Sequence, residues 1–169
     1  MDRLWSPWRL EYVTRGDDAG ESGCVFCQAP RLPEADSLLV FTGHSSYVIL
    51  NLYPYNSGHL MVVPFRHVAT LAGLTSAEMD EVGRLMQRCE VALTEAYHPH
   101  GFNVGVNLGK PAGAGVLDHV HVHVVPRWSG DSNFMTVVGN TRVLPEDLGA
   151  SAERLRPIFT RLAEDTARR

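Results

Sequence analysis

Residues 119–126 read HVHVHVVP. Valine is stiff at χ1 and packs well on a pleated surface, so the run predicts a β-strand over 119–125. Strand side chains alternate faces. That sets His119, His121 and His123 on one face and Val120, Val122 and Val124 on the other, toward a core. Same-face neighbours stand roughly 6.5–7 Å apart, a spacing at which imidazoles bind a metal or line an anion site. In a helix His121 would point away from the face shared by His119 and His123. Pro126 has no N–H for a ladder, so the strand ends there or runs along an edge.

Upstream, 38–41 (LLVF), 46–51 (SYVILN), 60–63 (LMVV) and 102–107 (FNVGVN) also read as strands, as does 134–138 after the triad. The link at 53–58, YPYNSG, is a turn by its Pro, Asn and Gly. The clearest helix is 75–97. Thr75 and Glu78 make a capping-box pattern, and Met79, Val82, Leu85, Met86, Cys89, Leu93 and Ala96 recur at helical spacing. Pro99 and Gly101 end it. Residues 151–168 read as helical, with Pro157 breaking or restarting the helix. Strands, a long helix, strands and a helix predict an α+β domain: a mainly antiparallel sheet with helices on one side.

The chain has 169 residues, 44% of them hydrophobic and 20% charged, as expected for one globular domain with a real core. A net charge of −4 argues against a nucleic-acid backbone binder. No apolar run approaches the ~18 residues of a membrane span. The start, MDRLWSPWRLEYV, lacks the apolar core and cleavage site of a signal peptide, so the cytoplasm is the expected compartment. Three cysteines cannot all pair. Cys24-Val25-Phe26-Cys27 has the spacing of a zinc knuckle, of a thioredoxin-like redox pair, or of two plain thiols. The βαβ context of a thioredoxin is missing. Cys89 falls on the apolar face of the long helix and reads as core. His44, His98 and His100 read as surface or turn residues, and Trp5 and Trp8 as packing residues.

HVHVHVVPR resembles the signature of the histidine-triad (HIT) family. VILNLYPYNSGHLMVVPFRHV at 48–68 is similar to the family's first block, with Asn51, Gly58, His59 and Pro64 in place. GFNVGVNLG followed by AGAG leads into the triad as it does in the family. The likeness spans roughly 24–138, between an N-terminal extension (1–23) and a C-terminal segment (139–169) of a single domain. RLWSPWRLEYV, HGFNVGVNLG and HVVPRWSGDSNF further resemble the family's branch of bacterial diadenosine tetraphosphate phosphorylases. The resemblance implies a HIT-like fold, a homodimer or a higher assembly of dimers, and no organic cofactor. It implies attack by His121 on a nucleotide α-phosphate through a covalent nucleotidyl-histidine, with His123 donating to a phosphate oxygen.

It further implies that Asn51 holds the ribose hydroxyls, that Asn107 positions the phosphate or leaving group, and that His59 lies near the phosphates. Neutral imidazole, with a free pKa of ~6.5, is a competent nucleophile near pH 7. Many relatives carry a Ser or Thr hydroxyl just before the triad. Here the stretch is Gly113-Ala114-Gly115-Val116-Leu117-Asp118, which leaves backbone N–H groups, at Gly113 and Gly115 among others, to meet phosphate. A zinc-binding subset of the family uses a CxxC, a histidine after the first block and the first triad histidine. The matching residues are Cys24, Cys27, His67 and His119, a set with the makings of a closed structural site. In the family the carbonyl of the first triad histidine accepts from Nδ1–H of the nucleophile.

The leading expectation is therefore an enzyme that cleaves diadenosine polyphosphates, with inorganic phosphate as acceptor. A nucleotide hydrolase or nucleoside phosphoramidase shares these residues and differs in acceptor or leaving group. A nucleotide-binding module without turnover is the alternative from another class. A triad that itself holds a catalytic metal is disfavoured because the CxxC claims His119.

Overall fold

The computed structural model describes residues 23–33, 37–131 and 146–167. The expected strand at 134–138 and the tryptophans at 5 and 8 lie outside them. A short helix α1 (Val25–Gln28) precedes strands β1 (Leu39–Thr42), β2 (Ser46–Leu50) and β3 (Leu60–Pro64). The long helix α2 (Ser76–Tyr97), strands β4 (Gly101–Val106) and β5 (Val122–Arg127), and helix α3 (Leu148–Ala167) complete the order. The strands form one antiparallel sheet in the order β1-β2-β3-β5-β4.

Alternation along the strands separates two apolar layers. Val48, Leu50, Leu60, Val62, Val122 and Val124 pack with Leu85, Cys89 and Leu93 of α2 and Leu155 and Phe159 of α3. Tyr47, Ile49, Met61 and Val63 face the other way and meet Cys24, Phe26 and Ala29. Both long helices thus cover one face, and the CxxC segment covers part of the other.

Two expectations change at the proline positions. β5 begins at Val122, three residues later than the alternation of 119–125 predicts. Val62 pairs with Val122, so continuing that register sets Val120 opposite Pro64, which has no N–H to donate. Val120 N–H instead donates to the Val68 carbonyl at 2.7 Å. Pro126 lies inside β5, opposite Phe102. The ladder to β3 ends at Val124, so no β3 carbonyl there requires the missing proline N–H. At the other end of the chain, Pro157 does not break α3. Proline costs the helix the bond to the carbonyl four residues back, on an exposed face at Glu153 and Pro157.

α2 carries its capping box: Thr75 accepts from Glu78 N–H, and the Glu78 carboxylate accepts from Thr75 N–H. It ends on His98, which takes the left-handed conformation (φ 48°) ahead of Pro99.

Candidate active site and metal centre

The sheet face away from the long helices carries His123, opposite Met61 of β3 and Gly105 of β4. The His121 and His123 ring centroids lie 4.9 Å apart, edge to face. His121 is 4% exposed. Its Nδ1 lies 2.9 Å from the His119 carbonyl. A carbonyl only accepts, so Nδ1 carries the proton and Nε2 is the nitrogen left with a lone pair. Burial pushes the His121 pKa below that of ordinary imidazole, against the His119 carbonyl, which raises it. Phe26 packs its ring 4.8 Å from that of His121 and 5.6 Å from that of His119.

His123 is oriented from behind. Tyr55 N–H donates to His59 Nδ1 at 3.1 Å. A neutral His59 then carries its proton on Nε2, which lies 3.0 Å from His123 Nδ1. His123 Nδ1 is the acceptor in that pair, so its Nε2 carries a proton. The relay gives adjacent rings opposite equipment: a lone pair on His121 Nε2 and a donor on His123 Nε2.

His59 has no exposed surface and lies behind His123, one hydrogen bond from its ring. Asn51 spends its side chain on its own loop, with Oδ1 accepting from Tyr53 N–H and Nδ2 3.4 Å from His59 Nδ1. Asn107 borders the cleft beside His123. The glycine-rich turn is folded inward. Gly113 N–H bonds to the Lys110 carbonyl, and Ala112 and Ala114 N–H bond to that of Gly109. Those three amides, the expected Gly113 donor included, are engaged within the turn. Gly115 follows it, ahead of the triad.

Cys24, Cys27, His67 and His119 converge, their ligand atoms all within 4.8 Å of one another. Cys24 Sγ and His119 Nδ1 are 3.3 Å apart, as are Cys27 Sγ and His67 Nδ1, and Cys27 Sγ is 3.5 Å from His119 Nδ1. Zinc bonds to sulfur and nitrogen at tetrahedral angles put those atoms about 3.5 Å apart. His119 Nε2–H donates to the Pro64 carbonyl at 2.8 Å, which fixes the tautomer with Nδ1 as ligand. The residues fit a metal. Burial, the neighbouring Cys24 and the neighbouring Cys27 raise the Tyr47 pKa, so its hydroxyl stays protonated and donates to the Phe26 carbonyl at 2.6 Å. Cys89 lies wholly buried in α2, and burial raises its thiol pKa out of reactive range.

Sequence reading missed Phe26 as a contact of His121. It also missed the polar end of the cleft, where Asn56, Asn103, Arg127 and Asp131 meet. The signal was present in the period of two: Asn103, Gly105 and Asn107 are alternate residues, and Arg127 is four residues from His123.

The HIT domain model matches residues 32–130. The chain is 42% identical over 152 residues to a protein of Mycobacterium tuberculosis named AP-4-A phosphorylase, covering 86% of this chain and 78% of that one. It is 30% identical over 129 residues to the bis(5'-adenosyl)-triphosphatase of Dictyostelium discoideum, covering 73% and 86%. Among solved structures, a Zn-bound histidine triad family protein from Mycobacterium smegmatis superposes with a TM-score of 0.69 at 29% identity, over 86% of this chain and 99% of that one.

Proposed function

Because this chain belongs to the HIT family, whose members process nucleotides, we propose that it is a dinucleoside polyphosphate phosphorylase working through a nucleotidyl-His121 intermediate. The observation that carries the reading is the 2.9 Å bond from His121 Nδ1–H to the His119 carbonyl. It leaves the lone pair on Nε2 and accepts the charge that Nδ1–H gains when Nε2 bonds to phosphorus. The α-phosphorus–oxygen bond breaks and the nucleoside polyphosphate departs. The His123 Nε2–H donor, held by His59, meets a non-bridging oxygen or the leaving oxygen as negative charge develops. Inorganic phosphate then attacks the same phosphorus, the phosphorus–nitrogen bond breaks and His121 is restored. Asn51 shapes the loop that carries Tyr55, and Asn107 positions the phosphate chain.

Cys24, Cys27, His67 and His119 would hold one structural zinc, with four protein ligands and no position open to substrate. The chain acts as a homodimer in the cytoplasm. Among the described residues β4 is an edge strand, carrying Val104 at 54% exposure, and such an edge suits pairing with a second copy. Sedimentation at twice 18.7 kDa would support it, and a monomer at micromolar concentration would refute it.

The function is tested by product analysis. Diadenosine tetraphosphate with inorganic phosphate is expected to give ADP and ATP, and His121→Asn is expected to give neither. AMP and ATP, at a rate indifferent to phosphate, would make the protein a hydrolase, like the relative named a triphosphatase.

A further inference from the structure

The cleft beside His123 has a volume of about 460 Å³ and extends well beyond the triad. Its floor is one face of β4 and β5, where Gly105 lies opposite His123 and Asn103 opposite Val125. Arg127 is four residues further along that face, about 13 Å away at strand rise. There the side chains form a closed polar end. Arg127 donates to Asp131 through Nε at 2.5 Å and Nη2 at 2.8 Å, and to Asn103 Oδ1 through Nη1 at 2.7 Å. Asn56 Nδ2 donates to Asp131 Oδ2 at 2.8 Å and to the Pro126 carbonyl at 3.0 Å. The chemistry of the triad uses none of these four residues.

We infer that this groove holds the departing half of the substrate, a nucleoside polyphosphate, with its phosphates beside His123 and its nucleoside on the Asn103–Arg127–Asp131–Asn56 end. The inference rests on the nucleotidyl-transfer reading above and names a subsite for it. Asp131 neutralises Arg127, so the far end offers amide and guanidinium dipoles in place of a net cation. That suits sugar hydroxyls and a base better than phosphate. The end nearer the triad has the His123 donor and Asn107, which suit the phosphate chain. The distance from one end to the other matches a short polyphosphate followed by a sugar.

Gly105 keeps the floor open between the two ends. A Cβ there would meet no atom of the described residues within 4 Å, so a side chain at this position has room at its base and enters the groove, and valine suits a strand.

The experiment compares two substrates of one adenylate and different leaving groups: diadenosine tetraphosphate, and adenosine 5′-phosphoramidate, whose leaving group is ammonia. Each is measured by kcat/KM, and by Kd on a His121→Asn background. Gly105→Val is expected to lower the ratio of dinucleotide to phosphoramidate kcat/KM at least tenfold, and Asn103→Ala severalfold, with the same order in Kd. Asn103→Ala provides the measurement should Gly105→Val fail to fold. If both substrates fall together, or the ratio stays within twofold of wild type, the groove is not the leaving-half subsite and the transfer reading stands. If wild-type protein neither binds nor cleaves either substrate, the transfer reading fails and this one falls with it.

Discussion

Phe26 touches two histidines with different tasks. One face of its surroundings is His119 of the Cys/His cluster and another is His121. Its backbone carbonyl is tied down by the Tyr47 hydroxyl, so the ring is a fixed wall and not a loose filler. A nucleophile displaced by about 1 Å can cost on the order of a hundredfold in rate. Phe26→Ala is therefore expected to lower kcat roughly ten- to a hundredfold with KM within threefold of wild type, and Phe26→Leu to recover most of the loss. Steady-state kinetics decide it: a raised KM with kcat intact would mean that Phe26 meets the substrate and does not position His121. Alternation grouped the three histidines, and the likeness of the surrounding blocks to the HIT family suggested a task for each. Phe26 was not, because a phenylalanine between two cysteines carries no sign of which ring, 95 residues downstream, it will meet.

At the scale of elements, caps and prolines separate what local sequence decides from what pairing decides. The α2 start was legible because Thr75 and Glu78 satisfy one another within one turn, with no tertiary partner needed. The late start of β5 was not, because Pro64 sits on another strand and its missing N–H matters only once the register is known. Helix α3 runs through Pro157 for an energetic reason. An interior proline costs about 3 kcal/mol, whereas Leu155 and Phe159, both at 0% exposure, each stabilise by roughly 1.5–3 kcal/mol on burial.

The α2 cap also reaches the site. Arg66 donates to Glu78 at 2.7 Å and to the Gly73 carbonyl at 2.6 Å, and the next residue is His67 of the Cys/His cluster. The Arg66 hydrogen bond first, then the Thr75 backbone, depress the Glu78 pKa to about 2. A lowered carboxylate pKa contributes stability above the unfolded value and loses it as pH falls through the folded one. We expect Glu78→Gln to cost about 1 kcal/mol at pH 7. Unfolding measured against pH should show that cost shrinking between about pH 4.5 and 2. A deficit equally large at the acid end would mean that Glu78 acts by packing and not by charge.

Across the whole molecule, the Cys24–Cys27–His67–His119 cluster ties together distant parts of the chain, Cys24 and His119 standing 95 positions apart and Cys27 and His67 40 apart. Closing loops of that length constrains the unfolded chain strongly, and a metal bound after folding adds its binding free energy to stability. Yet His121 is held by the backbone carbonyl of His119, which no metal removes, and the CxxC segment keeps the apolar contacts of Phe26 and Ala29. Protein purified without added metal is therefore expected to hold one zinc per chain. Stripping that zinc with a chelator should lower Tm by roughly 6–12 °C, taking at least ~3 kcal/mol lost at 2–4 °C per kcal/mol. The Cys24→Ser/Cys27→Ser double variant should bind none and ignore the chelator. Assayed well below its own Tm, the stripped protein should keep a substantial fraction of wild-type activity, with the deficit growing steeply as temperature approaches that Tm. Activity proportional to zinc content at every temperature would assign the metal to the chemistry and overturn its structural role.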